Sequence, residues 1–392
     1  MRRDRLSAFA RIRIFLAISS LAFLAGLFCA RGLAQEKALP PNLRNPLPTV
    51  ALKDGRTIHN VIIVSFGSSA VMAKWEGGRG TLGYDLLPDE IRNAALQLRR
   101  EASQSTNPKD TGQARVEQVT QVPKSMTLTA ARHGFSTHLL RLESIGERPD
   151  RPPPRVLDLV SYPGPLGPMA AYVSSSPNDG KRRPAIIWLV GGSSNSISSV
   201  AWTPASPDND QSASGFRRAG IIMMYPSLRG GNNSPGYHEK FFGEVDDVIA
   251  AANYLSQLNY VDTQRIYLGG HSTGGTLALL VAESSNQFHA VYSLGPVGDM
   301  LAYEQDALPF DASNSNECRL RSPALWLDSI HVPTFVFEGT ESPSNIGQLR
   351  TMAQLNRNPL VKFREVSGGT HFTIVAQLVR EIAQQIQSDN GQ

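Results

Sequence analysis

The second half of the chain alternates apolar runs of strand type with amphipathic helical segments. Six such runs occur, at residues 185–190, 220–225, 265–269, 290–294, 333–337 and 361–366. The clearest helical segments lie between or after them, at residues 244–258 and 372–387. Apolar strands separated by helices indicate a mostly parallel sheet that is covered on both faces. The pattern predicts a doubly wound α/β domain over residues 133–390.

The third apolar run ends in a serine motif. Gly270-His271-Ser272-Thr273-Gly274 has the form G-x-S-x-G, follows a predicted strand and precedes an apolar helical segment at 277–282. A serine on a sharp strand-to-helix turn exposes its hydroxyl, and the flanking glycines avoid clashes there. The Thr273 amide then lies at a helix N-terminus, where it can stabilise an oxyanion. We predict Ser272 as a nucleophile, with a chance match in a glycine-rich chain as the alternative.

Further residues occur where a serine hydrolase needs them. Gly191 and Gly192 follow the first strand run, the position of a second oxyanion amide, although an ordinary glycine turn has the same pattern. His371 lies between the last strand run and the last helix, where it can serve Ser272 as general base. An acid must orient this histidine, and Glu341, after the run at 333–337, satisfies the order serine, acid, histidine.

Several separated motifs resemble the catalytic domain of the prolyl-oligopeptidase family, within the α/β-hydrolase superfamily. The resemblance spans about residues 155–390. Besides the serine motif and the His371 loop, it rests on Tyr225-Pro226-Ser227-Leu228-Arg229-Gly230-Gly231, Gly236-Tyr237, Asp246-Asp247-Val248, and Val261-Asp262 with Arg265-Ile266. It implies an α/β-hydrolase fold and a Ser-acid-His triad that acts on peptides or esters through a covalent acyl-enzyme.

Two departures from the family pattern affect these expectations. The family loop usually reads G-x-x-D, which would place the acid at position 342, where this chain has Ser342. Glu341 is one residue early; we rank it first, with Glu338 and Asp299 as alternatives. The region between the N-terminal segment and the hydrolase domain has about 100 residues. We therefore expect no gating β-propeller of the kind found in the oligopeptidases.

The N-terminal segment, residues 1–34, is typical of a secretory signal. It holds six basic residues and one acid, an apolar run at 14–30 and a Gly32-Leu33-Ala34 cleavage site. We expect an exported protein, periplasmic or secreted, with an uncleaved membrane anchor over 14–30 as the alternative. The rest of the chain has 32 basic and 33 acidic residues, a net charge of −1. Its charge therefore indicates no nucleic-acid partner.

A small β module is predicted between two linkers, a Pro-rich one at 35–47 and a polar one at 101–132. Residues 48–100 show short strand runs separated by glycine turns and then a helical segment, which predicts a barrel-like unit. Its L-K-D-G-R opening and L-P closing resemble SH3-like modules related to the SLA1 homology domain. That resemblance implies protein or glycan binding, or spacing; a plain structural appendage is the alternative.

The motifs favour catalysis without a cofactor. The chain has no H-E-x-x-H motif, no Cys/His cluster and no G-x-G-x-x-G after a strand, so we predict neither a metal nor a nucleotide cofactor. The leading hypothesis is an exported serine hydrolase acting on small ester or peptide substrates. A catalytically weak or inactive binding protein on a hydrolase scaffold is the alternative, and the missing aspartate at position 342 motivates it.

Overall fold

The structure, a computed structural model, describes residue 43 and residues 46–66, 70–76, 78–105, 126–303 and 308–389. The predicted signal segment, residues 1–34, lies outside this part of the chain. Export and cleavage therefore stay predictions. Within the described ranges, no helix combines the length and the apolar character that crossing a bilayer requires.

The first folded unit is a four-stranded antiparallel sheet followed by a helix. In the described residues its strands pair in chain order: β1 (Leu47–Ala51), β2 (Thr57–Phe66), β3 (Ala70–Trp75) and β4 (Gly78–Gly83). The helix α1 (Asp89–Ser105) buries Ala95 in a core with Val50, Val61 and Val71. Strands and helix thus lie where the sequence pattern placed them, while the SH3-like relationship stays a prediction.

The larger unit is built on a sheet that has eight strands in the described residues. These are β5 (Leu157–Gly164), β6 (Gly167–Ser174), β7 (Arg183–Leu189), β8 (Ile222–Pro226), β9 (Val261–His271), β10 (Val291–Leu294), β11 (Thr334–Glu341) and β12 (Val361–Thr370). Their order across the sheet is β12-β11-β10-β9-β7-β8-β6-β5. The six strands from β7 to β12 are all parallel to one another. The β5–β6 hairpin joins β8 antiparallel. The predicted mostly parallel sheet is confirmed.

Helices cover both faces of this sheet. They are α2 (Leu128–His133), α3 (Gly215–Arg218), α4 (Glu244–Leu255), α5 (Thr273–Ala282), α6 (Ser315–Arg319), α7 (Ile346–Leu355) and α8 (Ile374–Ser388), with 3-10 turns at Ser199–Ala201, Met300–Ala302, Pro323–Leu325 and Leu327–Ser329. Along β7, Ala185 and Ile187 pack into the core shared with α4, α5 and α7, while Ile186 and Trp188 pack against α3 and α8. A strand buried on both faces must be apolar throughout, as β7 is.

The packed α/β unit begins earlier than the predicted residue 133. Helix α2 lies inside the predicted linker, and its Leu128 is fully buried in the core that holds α4 and α5. The Leu128 amide donates to Ser329 Oγ at 3.2 Å. The predicted linker also contains the end of α1, and its residues 106–125 lie outside the described ranges.

The strand order of the sheet reverses at β7, and this reversal determines where the candidate site lies. From β7 the chain passes to β8 on one side, then returns to β9 on the other side and continues outward to β12. The loops that leave the carboxyl ends of β7 and β9 therefore diverge, which opens a crevice at that edge. Gly191 and Gly192 follow β7 and Ser272 follows β9, so these predicted residues meet there.

Candidate active site

Ser272 occupies a strained turn between β9 and α5. Its backbone has φ 57° and ψ −118°, a conformation that L residues rarely adopt. The turn packs so tightly on β7 that a methyl group on Gly274 would run into the backbone carbonyl of Leu189. A methyl group on Gly270 would run into the carbonyl of Gly274. Both glycines of the motif are therefore required by the close packing of this elbow.

His371 lies directly after β12 and contacts a buried carboxylate. Its Nδ1 is 3.0 Å from Oε2 of Glu338, whose side chain is fully buried on β11. Glu338 Oε1 accepts the Gly339 amide at 2.7 Å, and Oε2 also accepts the Asn345 amide at 3.0 Å. An imidazole nitrogen that faces a carboxylate carries the proton, which leaves Nε2 as the basic nitrogen.

The carboxylate that we ranked first, Glu341, does not contact His371. Its side chain is exposed, and Oε1 accepts from Thr340 Oγ1 at 3.2 Å. The pairing register between β11 and β12 shifts between Gly339 and Glu341, and such an irregularity changes the direction of the side chains that follow it. Ranking Glu341 first is therefore wrong, and the alternative Glu338 is the acid beside the histidine.

Asp299, the other alternative, has a structural task of its own. It is exposed and caps the 3-10 turn Met300–Ala302, where Oδ1 accepts the Leu301 amide at 2.9 Å. A capping side chain of this kind satisfies a backbone donor that the turn leaves open. Asp299 thus has no contact with the histidine loop.

The end of β10 brings Ser272 and His371 to the same place. The Ser272 amide donates to the carbonyl of Leu294 at 2.8 Å. The next residue, Gly295, lies against the imidazole, because a methyl group there would come within 2.6 Å of His371 Cε1. Ser272 Oγ forms no hydrogen bond with a described residue, so its hydroxyl is free to rotate towards a base.

Two backbone amides beside Ser272 remain available for an oxyanion. The Thr273 amide begins α5 and the Gly192 amide follows β7; neither has a hydrogen-bond partner among the described residues. Thr273 Oγ1 donates to the Gly192 carbonyl at 2.6 Å, which joins the two loops. The Gly191 amide, by contrast, already donates to Gln211 Oε1 at 3.2 Å. Of the three predicted donors, Gly191 is therefore engaged elsewhere.

A hydrogen-bonded chain that sequence reasoning missed connects the Gly191 loop to the His371 loop. Gln211 Nε2 lies 2.7 Å from His271 Nδ1, and His271 Nε2 lies 2.8 Å from the His371 carbonyl. Burial and the neighbouring His371 ring lower the pKa of His271 to about 3. The neutral His271 ring therefore accepts from Gln211 and donates to the His371 backbone. No motif in the sequence points to Gln211.

We expect Gln211→Leu to lower kcat roughly 10-fold while KM changes little, since two hydrogen bonds that position catalytic loops are lost. Steady-state kinetics on a nitrophenyl ester measures both constants. Gln377→Leu, on the exposed side of α8, makes the same chemical change away from the site and serves as control. Equal kcat for the two variants would contradict the positioning role.

A cavity of about 200 Å³ opens beside the two available amides. Gly192 and Thr273 line it, and Leu228, Phe241 and Leu277 supply apolar wall. Its ionisable lining side chains are those of Tyr225, His238, Lys240 and Glu244. Within the described ranges, no group of three or more His, Cys, Asp or Glu side chains is arranged to hold a metal ion.

Residues 207–340 match the sequence profile of the prolyl oligopeptidase family. The matched range contains Ser272 and Glu338 and ends before His371. The uncharacterized peptidase YtmA of Bacillus subtilis (strain 168) is 36% identical over 93 residues, which are 23% of this chain and 36% of that protein. The chain thus spans about a third of the length of this curated relative.

Solved structures with partial similarity include two hydrolases. A puromycin-hydrolysing peptidase of Mycobacterium tuberculosis is 21% identical with a TM-score of 0.46, over 59% of this chain and 39% of its own. XC6422 of Xanthomonas campestris, an α/β serine hydrolase without a lid, is 16% identical with a TM-score of 0.40. The similarity covers 60% of this chain and 96% of XC6422. The fold assignment rests instead on the strand order and the elbow described above. On that basis the larger unit has an α/β-hydrolase-like fold, and within it residues 207–340, about a third of the chain, are similar to the prolyl oligopeptidase family.

Proposed function

We propose that this chain is a serine hydrolase that cleaves ester or peptide bonds through an acyl-enzyme on Ser272. The observation that carries the proposal is the contact of His371 Nδ1 with the buried Glu338, at the sheet edge that also holds the Ser272 elbow. A nucleophile, a base and an orienting acid at one edge are the parts that acyl transfer needs.

The catalytic steps follow from the positions of Ser272, His371 and Glu338. His371 Nε2 takes the Ser272 proton as Oγ attacks the carbonyl carbon, and the charged imidazole is stabilised by Glu338. The carbonyl oxygen becomes an oxyanion that accepts hydrogen bonds from the Gly192 and Thr273 amides, each worth a factor of roughly 10²–10³ in rate. His371 then protonates the leaving alcohol or amine. A water molecule, activated by the same base, releases the acid from Ser272.

The test is labelling with a fluorophosphonate probe, with the modified residue located by mass spectrometry, together with turnover of a nitrophenyl ester and an aminoacyl nitroanilide. We expect labelling at Ser272 and turnover of at least one of the two substrates. The similarity to a protein named as a peptidase supports including the amide substrate. Failure of both labelling and turnover would instead favour the inactive binding protein, and labelling of another residue would overturn the choice of nucleophile.

A further inference from the structure

The cavity beside the oxyanion amides contains a buried cation. Lys240 is 8% exposed and lines the cavity together with Gly192 and Thr273. No carboxylate of a described residue lies within 4.0 Å of its Nζ. Two aromatic rings face it: Nζ lies 4.6 Å from the centre of the Tyr303 ring and 5.3 Å from that of Phe241. Burial lowers the pKa of the Lys240 ammonium, and the carboxylates of Glu244 and Glu143, which form no ion pair with it, offset this effect only in part.

The backbone holds Lys240 in this place at a cost in free energy. Lys240 has φ 54° and Phe241 has φ 77°, so two consecutive residues with side chains adopt the left-handed region. Such strain persists only where the surroundings over-determine it, and it concentrates at functional sites. The preceding residue, Glu239, supplies that constraint: its carboxylate accepts from Arg229 Nη1 at 2.6 Å and from the Gly243 amide at 2.9 Å. Its carbonyl accepts from Arg321 Nε at 3.0 Å.

The other charged group of the cavity, Glu244, is closed to a ligand. Its Oε1 accepts from the Glu239 amide at 2.7 Å and from Asn195 Nδ2 at 3.1 Å. Its Oε2 is buried, so a ligand cannot reach it, and it has no hydrogen-bond partner among the described residues. The structure therefore favours an anionic ligand group at Lys240 over a cationic one at Glu244.

We propose that Lys240 selects substrates whose acyl part carries a carboxylate, by pairing with it inside the cavity next to the oxyanion amides. This rests on the proposed hydrolase function and narrows its substrate class to acidic acyl groups. The paired carboxylate would compensate the buried ammonium, and a charge-assisted contact of this kind is stronger than a neutral hydrogen bond. The apolar wall of Leu228, Phe241 and Leu277 accommodates the methylene chain between the two ends of such an acyl group.

The experiment compares 4-nitrophenyl monoesters of succinic, glutaric and adipic acid with length-matched neutral esters such as 4-nitrophenyl valerate. For the best of the three chain lengths, we expect kcat/KM to exceed that of its neutral partner roughly 10- to 100-fold. Lys240→Met should reduce this ratio to near one, and Lys240→Arg should retain part of it. Lys362→Met, at an exposed position of β12, is the matched control and should keep the wild-type ratio.

The outcomes separate this inference from the proposed function. A wild type that is labelled at Ser272 and hydrolyses valerate with no preference for any monoester would overturn the role of Lys240 and leave the hydrolase intact. A preference for an ω-ammonium ester would assign the cavity to Glu244 instead. If Lys240→Met does not fold, competitive inhibition of the wild type decides: glutarate must inhibit at least 10-fold more strongly than valerate, and equal inhibition contradicts the proposal.

Discussion

Glu338→Gln is expected to lower kcat by about 10³–10⁴-fold, whereas Glu341→Gln leaves it within about 2-fold of wild type. Glu338 accepts three hydrogen bonds, two from backbone amides and one from His371 Nδ1. A glutamine amide would turn its NH₂ either towards a backbone donor or towards the ring nitrogen. The first arrangement leaves a buried donor unpaired, and the second favours the tautomer whose Nε2 can no longer accept the serine proton. Both lose the charge that stabilises the imidazolium.

Single-turnover and steady-state kinetics on one nitrophenyl ester measure this effect. The Glu341 variant is a matched control, because it makes the same change three residues away at an exposed position. Thermal unfolding of both variants shows whether the loss at Glu338 comes from unfolding. A Glu338→Gln enzyme that keeps more than a tenth of the wild-type kcat would contradict the role of Glu338 as the orienting acid. A Glu341→Gln enzyme that loses as much kcat as the Glu338 variant would contradict it too.

The difference between these two glutamates shows where sequence reasoning reached its limit. Ser272 and His371 were predicted from the sequence, since each lies at a junction between a predicted strand and a predicted helix, and in the structure both lie beside the end of β10. The carboxylate that contacts His371 could not be identified in this way, because Glu338 and Glu341 belong to the same segment and both satisfy the chain order. Side chains three residues apart on a strand face opposite sides, and which of the two sides meets His371 depends on how β11 pairs with β12, which leaves no local pattern.

Two parts of the fold, the β5–β6 hairpin and α2, were not predicted from the sequence because they too depend on contacts that leave no local pattern. The parallel strands are buried on both faces and therefore read as continuous apolar runs. The hairpin of β5 and β6 lies at the sheet edge, with Pro163 and Pro168 flanking its turn, and such residues hide a strand pattern. Helix α2 is six residues long and is held by the burial of Leu128, a tertiary contact without helical periodicity.

Lys240 and Gln211 were missed for a related reason. Each lies in a loop segment with no recognisable spacing, and each becomes informative only through its neighbours in space. Gln211 contacts Gly191 and His271, which are 20 and 60 residues away in sequence. A lysine in a polar loop is ordinarily solvated, so its burial beside the oxyanion amides could not be inferred from composition.

The second large effect concerns Ser272, where two substitutions should abolish activity alike and yet differ in stability. Ser272→Ala removes the nucleophile and should lower kcat by about 10⁵–10⁶-fold, with complete loss of fluorophosphonate labelling. Alanine keeps a Cβ atom at φ 57°, so the strain of the elbow remains. Ser272→Gly loses the same activity but relieves the strain. We expect its free energy of unfolding to be about 1 kcal/mol higher than that of Ser272→Ala. This net difference already includes the entropy that glycine loses on folding.

Denaturant unfolding of the two inactive variants measures this difference without interference from catalysis. Ser256, at the end of α4 with φ −65°, provides the control, because its backbone is in the ordinary helical region. There glycine should be less stable than alanine by about 0.5–1 kcal/mol. A reversed sign at position 272 relative to position 256 is thus the signature of strain held at the elbow. If glycine destabilises both positions equally, the elbow conformation imposes no cost in free energy, which contradicts the strain argued for Ser272.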